Sequence, residues 1–178
     1  MYNVTEEVQK FLKTGKETES RFANDLVEIC GGETELANES DDINNHIDVY
    51  WKRPDSPRII SFDVKGLRKN KRTDNNFSYT TTWLELQNVN GGPGSMYGKC
   101  DYLVFEGEND WFICNRQGLL DDLLSKITDD TIYTDNPGMN FKKYQRQKWG
   151  RKDIIVRVPF DFVIKNSRKK IKKVVSVN

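Results

Sequence analysis

The sequence predicts an α/β domain, of the α+β type, with helices packed on one mixed β-sheet. Apolar residues recur at helical spacing in residues 18–30 and 116–127, and apolar and polar residues alternate through 46–51 and 58–65. The 178 residues are 36% hydrophobic and 31% charged. That composition supplies enough apolar material for one core, so we expect a single domain over residues 1–165.

The N-terminal region predicts two helices followed by a loop. Residues 4–13 form a short amphipathic pattern, and Thr14 and Gly15 are expected to end that helix. A second helix is expected over 18–30, since Gly31-Gly32 follows it. The polar, acidic stretch 33–45 has no periodicity and is predicted to be a loop.

The rest of the chain predicts strands around one further helix. The alternating runs 46–51 and 58–65 indicate a β-hairpin, and 101–106 is apolar enough for a central strand covered on both faces. A glycine-rich loop at 91–98 is expected to be mobile and to lie near DNA or a partner subunit. The remaining predicted elements are strands at 80–88, 111–114 and 154–159 and a helix at 116–127.

Charge is strongly segregated along a chain whose net charge is only +1. Residues 142–178 carry 13 Lys and Arg against two acids, and the preceding residues are net acidic. Segregated positive charge predicts a polyanionic partner, here DNA, although residues 166–178 alone could equally form a solvated basic C-terminal tail. The predicted DNA-binding residues are Arg68, Lys69, Lys71, Arg72, Lys142, Lys143, Arg146 and Lys148.

Several classes of protein are disfavoured by what the sequence lacks. No apolar run approaches the ~18 residues that span a bilayer, and the N-terminus has no secretion-signal pattern, so we expect a cytoplasmic protein without a membrane partner. Three cysteines without a C-x-x-C pair predict reduced thiols. A single histidine, His46, excludes a multi-histidine metal site.

Two acids and a lysine share one face of the predicted hairpin. Asp48 lies on the polar side of the first strand, and Asp63 and Lys65 lie two residues apart on the second. That spacing places the latter two side chains on the same face, ~6.6 Å apart along the strand. Carboxylates on adjacent strands form an oxygen-only site, which suits Mg²⁺ or Mn²⁺. The alternative for Asp63 and Lys65 is an exposed ion pair.

Other residues could extend this site. Glu19 lies on or beside the apolar stripe of its helix, which is an unusual place for a carboxylate. Glu85 and Gln87 lie on the less apolar face of the third predicted strand, and His46 points with Asp48 by alternation. For each of them a structural role, as a surface acid, a paired strand residue or a hydrogen-bonded histidine, is the alternative.

The spacing D48-x14-D63-V64-K65, after a helix carrying Glu19, resembles the PD-(D/E)XK nuclease superfamily of many restriction endonucleases and Holliday junction resolvases. The resemblance covers roughly residues 17–127, and Ile47 departs from it where the motif has proline. The segment 82–106 is also similar to a group of phage and mobile-element proteins, which would place the protein in the host cytoplasm.

The resemblance implies a fold, an activity and a set of roles. The fold would be a restriction-endonuclease-like mixed sheet flanked by helices. Asp48 and Asp63 would bind Mg²⁺ or Mn²⁺, Lys65 would assist the attacking water, and Glu19 would be the helix acid found in some members. The implied function is a metal-dependent DNA endonuclease, with branched or structured DNA among its candidate substrates. We expect a homodimer, because one chain supplies one site. The alternatives are a catalytically inactive nuclease-fold protein that binds nucleic acid or inhibits another protein, and an RNA-directed enzyme.

Overall fold

The structure, a computed structural model, describes residues 6–67, 78–134, 138–145 and 150–174, with side chains from Lys13 onward. The α+β class predicted from the sequence is confirmed. The described residues form the helices α1 (Glu6–Cys30), α2 (Glu39–Asn45), α3 (Arg116–Lys126) and α4 (Phe160–Asn166). Their strands are β1 (Glu33–Leu36), β2 (Val49–Lys52), β3 (Ile59–Lys65), β4 (Thr81–Gln87), β5 (Tyr102–Glu106), β6 (Asp110–Asn115), β7 (Ile132–Tyr133), β8 (Lys143–Gln145), β9 (Ile154–Pro159) and β10 (Ser167–Lys172).

The strands form two sheets, so the prediction of one mixed sheet was wrong. The larger sheet has the order β1-β2-β3-β5-β6-β10, and the smaller has the order β4-β9-β8-β7. β2 and β3 form the predicted antiparallel hairpin, with Val49 opposite Phe62. β3 then pairs in parallel with β5. β4 pairs antiparallel with β9 in the smaller sheet, with Leu84 opposite Val156.

Helix α1 is continuous from Glu6 to Cys30, so the predicted break at Thr14-Gly15 was wrong. A glycine inside a helix costs only about 1 kcal/mol relative to alanine, and no proline is present to interrupt the backbone hydrogen bonds. The Thr18 hydroxyl donates to the carbonyl of Thr14 at 2.9 Å across this turn. The two low-propensity residues therefore lower the stability of α1 without ending it.

The predicted loop at 33–45 contains two regular elements. β1 is an edge strand that pairs with β2, with Leu36 opposite Val49. α2 begins after Asn38, whose side chain accepts a hydrogen bond from the backbone N–H of Asp41 at 3.0 Å. Such an N-cap stabilises a short polar helix that has no apolar stripe.

The predicted basic tail at 166–178 contains the strand β10. β10 pairs antiparallel with β6, with Ile171 opposite Trp111, and forms an edge of the larger sheet. Ile171 is buried, at 3% exposure, against the core beneath α1. The domain therefore extends past residue 165, and what was interpreted as a tail completes the sheet.

Two cores cover the two faces of the larger sheet. On one face α1 packs through Phe22, whose ring lies 5.3 Å from the rings of both Phe62 and Trp111 in edge-to-face contacts. On the other face the smaller sheet, α3 and α4 pack over Leu103 and Phe105 of β5. β5 is therefore covered on both faces, as predicted. Among the described helices, none combines the length and apolar character needed to cross a membrane.

Candidate active site

Asp48 and Asp63 lie close together at the end of the β2–β3 hairpin where its backbone hydrogen bonds stop. The N–H of Asp48 donates to the carbonyl of Phe62 at 2.8 Å, which continues the ladder one residue before β2. The residues before Asp48 do not continue the ladder, because they belong to the end of α2, whose C-cap, His46, adopts left-handed backbone angles. The carboxylate of Asp48 accepts the next hydrogen bond instead, from the N–H of Val64 to Oδ2 at 2.6 Å. This contact holds the Asp48 side chain beside Asp63.

Asp63 and Lys65 form an ion pair on the same face of β3. Lys65 Nζ lies 2.7 Å from Asp63 Oδ1. Asp63 is 2% exposed, which contradicts the alternative of an exposed ion pair for this carboxylate. Among the described residues, Asp63 Oδ2 is buried without a hydrogen-bond partner. Oδ1 is thus paired with lysine, whereas the side chains of Asp63 and Asp48 interact directly with each other.

Burial makes these two acids resist ionisation. It raises the pKa of Asp48 to about 7, with a further increase from the neighbouring charge of Asp63, while Lys65 and the Val64 N–H lower it. Burial also raises the pKa of Asp63, and the Lys65 ammonium opposes that shift. Two carboxylates in one low-dielectric site are costly to ionise together, and Lys65 offsets only part of that cost. The pair therefore holds a proton more strongly than exposed aspartates do.

Glu19 approaches the pair from α1 and is held by a lysine that the sequence interpretation missed. Lys16 Nζ lies 3.1 Å from Glu19 Oε2 and 3.0 Å from Asp42 Oδ2, so it bridges α1 and α2. Burial raises the pKa of Glu19, and the charge of Asp48 raises it further. The i,i+3 spacing of Lys16 and Glu19 was a signal that sequence reasoning could have used.

The three other predicted residues divide between the site and the surrounding loops. Glu85 is half-buried on β4, and its charge contributes to the raised pKa of Asp63. Gln87 donates instead to the carbonyl of Lys152 at 2.5 Å. His46 Nε2 lies 3.3 Å from the carbonyl of Pro93. The structure thus brings Glu85 toward the acids, while Gln87 and His46 make contacts with loops.

The glycine-rich loop at 91–98 is packed rather than free, which corrects the expectation of a mobile loop. Met96 is fully buried in the core between the sheets. The guanidinium of Arg116 donates to the carbonyls of Met96 and Cys100 at 3.0 Å. A Cβ on Gly94 would lie 2.5 Å from the carbonyl oxygen of Glu85, so glycine allows this close approach of the loop to β4.

Cys100 lies beside Asp63 and was not predicted from the sequence as part of the site. Burial raises the pKa of its thiol to about 12, and the charge of Asp63 contributes. A neutral, buried thiol extends the low-dielectric wall around the carboxylates. No spacing pattern marked this cysteine, because its neighbourhood depends on how the glycine-rich loop packs.

Two of the predicted DNA-binding residues, Lys142 and Lys143, lie among the described residues. Lys142 is ion-paired with Asp129, and Lys143 Nζ lies 2.7 Å from Asp130 Oδ1. Each lysine therefore already has its own carboxylate. The other predicted DNA-binding residues lie outside the described residues; they are Arg68, Lys69, Lys71, Arg72, Arg146 and Lys148.

The donor set fits a hard cation in part. Asp48 and Asp63 supply carboxylate oxygens, one of which is an unpaired buried atom, and such oxygens are the ligands that Mg²⁺ and Mn²⁺ prefer. Within the described ranges, however, no group of three or more His, Cys, Asp and Glu side chains is arranged to hold a metal ion. A cation here would take its remaining ligands from water or substrate, as Mg²⁺ commonly does.

Comparisons with protein-family models, with curated proteins and with solved structures found no match. The resemblance to PD-(D/E)XK nucleases therefore stays a prediction that rests on the residues of this chain.

Proposed function

We propose that this protein is a metal-dependent nuclease that hydrolyses phosphodiester bonds in DNA. The observation that carries the proposal is the buried pair Asp48 and Asp63, with Lys65 2.7 Å from one of its oxygens. A structural ion pair with one lysine needs one carboxylate. Burying a second carboxylate beside the first is costly unless a proton or a cation compensates, and a divalent cation compensates both charges.

Asp48 and Asp63 would hold the cation, which supplies positive charge to a bound phosphate and lowers the pKa of a coordinated water. Other groups of the chain position these carboxylates and the lysine. The Val64 N–H fixes the Asp48 carboxylate, and Asp63 fixes the Lys65 ammonium. Lys65 places a positive charge where a phosphate gains negative charge during hydrolysis. Its side chain is 25% exposed, against 3% for that of Asp63, so substrate would approach from the side of the lysine.

The alternative is a non-catalytic binding or inhibitor protein. It is favoured by the absence of a third convergent ligand within the described residues and by the neutralisation of Asp63 by Lys65. A homodimer and a cytoplasmic location also remain predictions from the sequence.

Nicking of supercoiled plasmid in Mg²⁺, in Mn²⁺ and in EDTA tests the proposal. We expect metal-dependent nicking by the wild type and none by Asp63→Asn. Asp25→Asn is the matched control, because Asp25 is also buried but accepts from Trp111 Nε1 on the α1 side of the sheet. Nicking by Asp63→Asn at the wild-type rate, or no nicking by a folded wild type in either metal, would contradict the proposal.

A further inference from the structure

The cationic edge strand β10 carries more positive charge than its neighbouring acids neutralise. Arg168, Lys169, Lys170 and Lys172 are all exposed on this strand. Lys170 and Lys172 share a single carboxylate, that of Asp110, at 3.0 and 3.5 Å. No carboxylate of the described residues forms an ion pair with Arg168 or Lys169.

The cations of β10 project to both faces of the sheet. Lys170 Nζ lies 5.5 Å from the ring centre of Phe112, on the face that packs against the second sheet. Ile171, the next residue, is buried on the α1 face. On that face Lys169 Nζ lies 3.1 Å from Cys30 Sγ near the end of α1. The strand therefore forms a ridge with positive charge on either side, about 20 Å long for its six residues.

A narrow ridge of this kind fits a linear polyanion better than it fits a flat anionic surface. Cations on its two sides can contact successive phosphates along a nucleic-acid backbone. A duplex presents a phosphate for every ~1.7 Å of its axis, and lysine binds phosphate as a point charge. The segment around β8 offers less, since Lys142 and Lys143 are each paired with an aspartate.

The ridge belongs to the same sheet as the candidate site. Lys65 is opposite Phe105, Phe105 is opposite Phe112, and Phe112 is opposite Lys170. Lys65 and Lys170 thus lie in one row, three strand spacings or about 14 Å apart. Because Phe105 and Phe112 between them are buried beneath the second sheet, a duplex that contacts both lysines must pass around that sheet.

We propose that β10 is a contact surface for the phosphate backbone of duplex DNA, through Arg168, Lys169, Lys170 and Lys172. The choice of DNA as partner rests on the proposed function, whereas the charged ridge is a feature of the fold. The contact is independent of base sequence, because it is made by point charges on an edge strand.

Fluorescence anisotropy of a labelled short duplex in EDTA tests this surface without cleavage. The variant R168Q/K169Q removes the two cations without ion pairs, and K142Q/K143Q removes two paired ones. We expect R168Q/K169Q to lower the slope of log affinity against log salt by about 1.8, or about 0.9 for each lost contact. We expect K142Q/K143Q to keep the wild-type slope.

The surface would be overturned by a wild-type slope in R168Q/K169Q, or by an equal loss in both double variants. Tighter wild-type binding to phosphatidylserine-containing vesicles than to the duplex at the same salt would also overturn it. Binding that depends on β10 without any cleavage in Mg²⁺ would support the surface and contradict the nuclease. Cleavage by the wild type, together with binding that R168Q/K169Q leaves unchanged, would support the nuclease and contradict the surface.

Discussion

The carboxylate of Asp48 accepts the backbone N–H of Val64 at 2.6 Å, and so takes the place of a strand partner at the end of the β2–β3 hairpin. The contact satisfies a buried backbone donor, and it also fixes the carboxylate next to Asp63. The same side chain therefore serves the fold and the candidate site. A substitution at Asp48 must be designed to separate these two roles.

Asp48→Asn keeps an oxygen acceptor for Val64 and removes the charge. Burial raises the pKa of Asp48 from 3.8 in the unfolded chain to about 7, so the folded protein retains a proton that the unfolded chain loses. The contribution of Asp48 to stability therefore falls as pH rises from about 4 to 7 and is level above that range. We expect Asp48→Asn to be more stable than the wild type at pH 8 by about 1–3 kcal/mol, and to lose this advantage near pH 4.

Urea unfolding of both proteins at the two pH values measures this difference. A variant that is less stable than the wild type at pH 8 would show that the ionised carboxylate is well compensated in the folded protein. The cost of ionising Asp48 in this buried site would then be absent.

Lys65 is expected to act on the reaction and not on the cation. Lys65→Ala leaves both carboxylates in place, so metal binding should persist while plasmid nicking falls by about 100-fold or more. Lys65→Arg keeps the positive charge and should retain part of the activity. Equal nicking by Lys65→Ala and the wild type would remove Lys65 from the mechanism, and lost metal binding in Lys65→Ala would assign it a structural role.

Gly15→Ala tests the continuity of α1. A Cβ at this position would meet only Glu19 Oε1, at 3.7 Å, which is ordinary contact. Alanine in a helix interior is favoured over glycine by about 0.5–1 kcal/mol. We therefore expect the midpoint of chemical unfolding to rise. An unchanged or lowered midpoint would indicate a helix end near Gly15, as the sequence pattern had predicted.

Gly94→Ala is expected to have the opposite effect. Its Cβ would lie 2.5 Å from the carbonyl oxygen and 2.8 Å from the carbonyl carbon of Glu85, and backbone atoms cannot move aside cheaply. We expect a loss of about 1–3 kcal/mol in unfolding free energy. Gly118→Ala is the control, since its nearest neighbour is Asn115 Oδ1 at 3.4 Å. Equal stability of Gly94→Ala and Gly118→Ala would contradict the close packing of the loop on β4.

The hairpin and the acid pair could be predicted because their signals are local. Alternation through 58–65 sets the faces of β3, and with them the shared face of Asp63 and Lys65. The predicted strand at 46–51 begins only at Val49, because His46 is the left-handed C-cap of α2, and Asp48 is placed by its hydrogen bond to Val64. Alternation does not report what covers a face. The burial of Asp63 depends on the packing of the second sheet and of the loop around Met96, which are distant in sequence.

The strand β10 could not be predicted from its own sequence pattern. Ile171 is its only buried residue; four of its six residues are exposed cations, and the remaining one, Ser167, is polar. Its strand conformation comes from hydrogen bonding to β6 and not from its own pattern. Lysine-rich edge strands lack the apolar alternation by which strands are recognised, and lysine on an edge also discourages unwanted strand pairing.

The most direct measurement counts the divalent cations that Asp48 and Asp63 bind. In calorimetric titration with Mn²⁺, we expect one ion per chain at pH 8, with weaker binding and proton release at pH 6, because both carboxylates must ionise. Asp63→Asn should bind no ion at this site, whereas Asp25→Asn should bind as the wild type does. No binding by the wild type at millimolar Mn²⁺, or unchanged binding by Asp63→Asn, would contradict a metal site between these two aspartates.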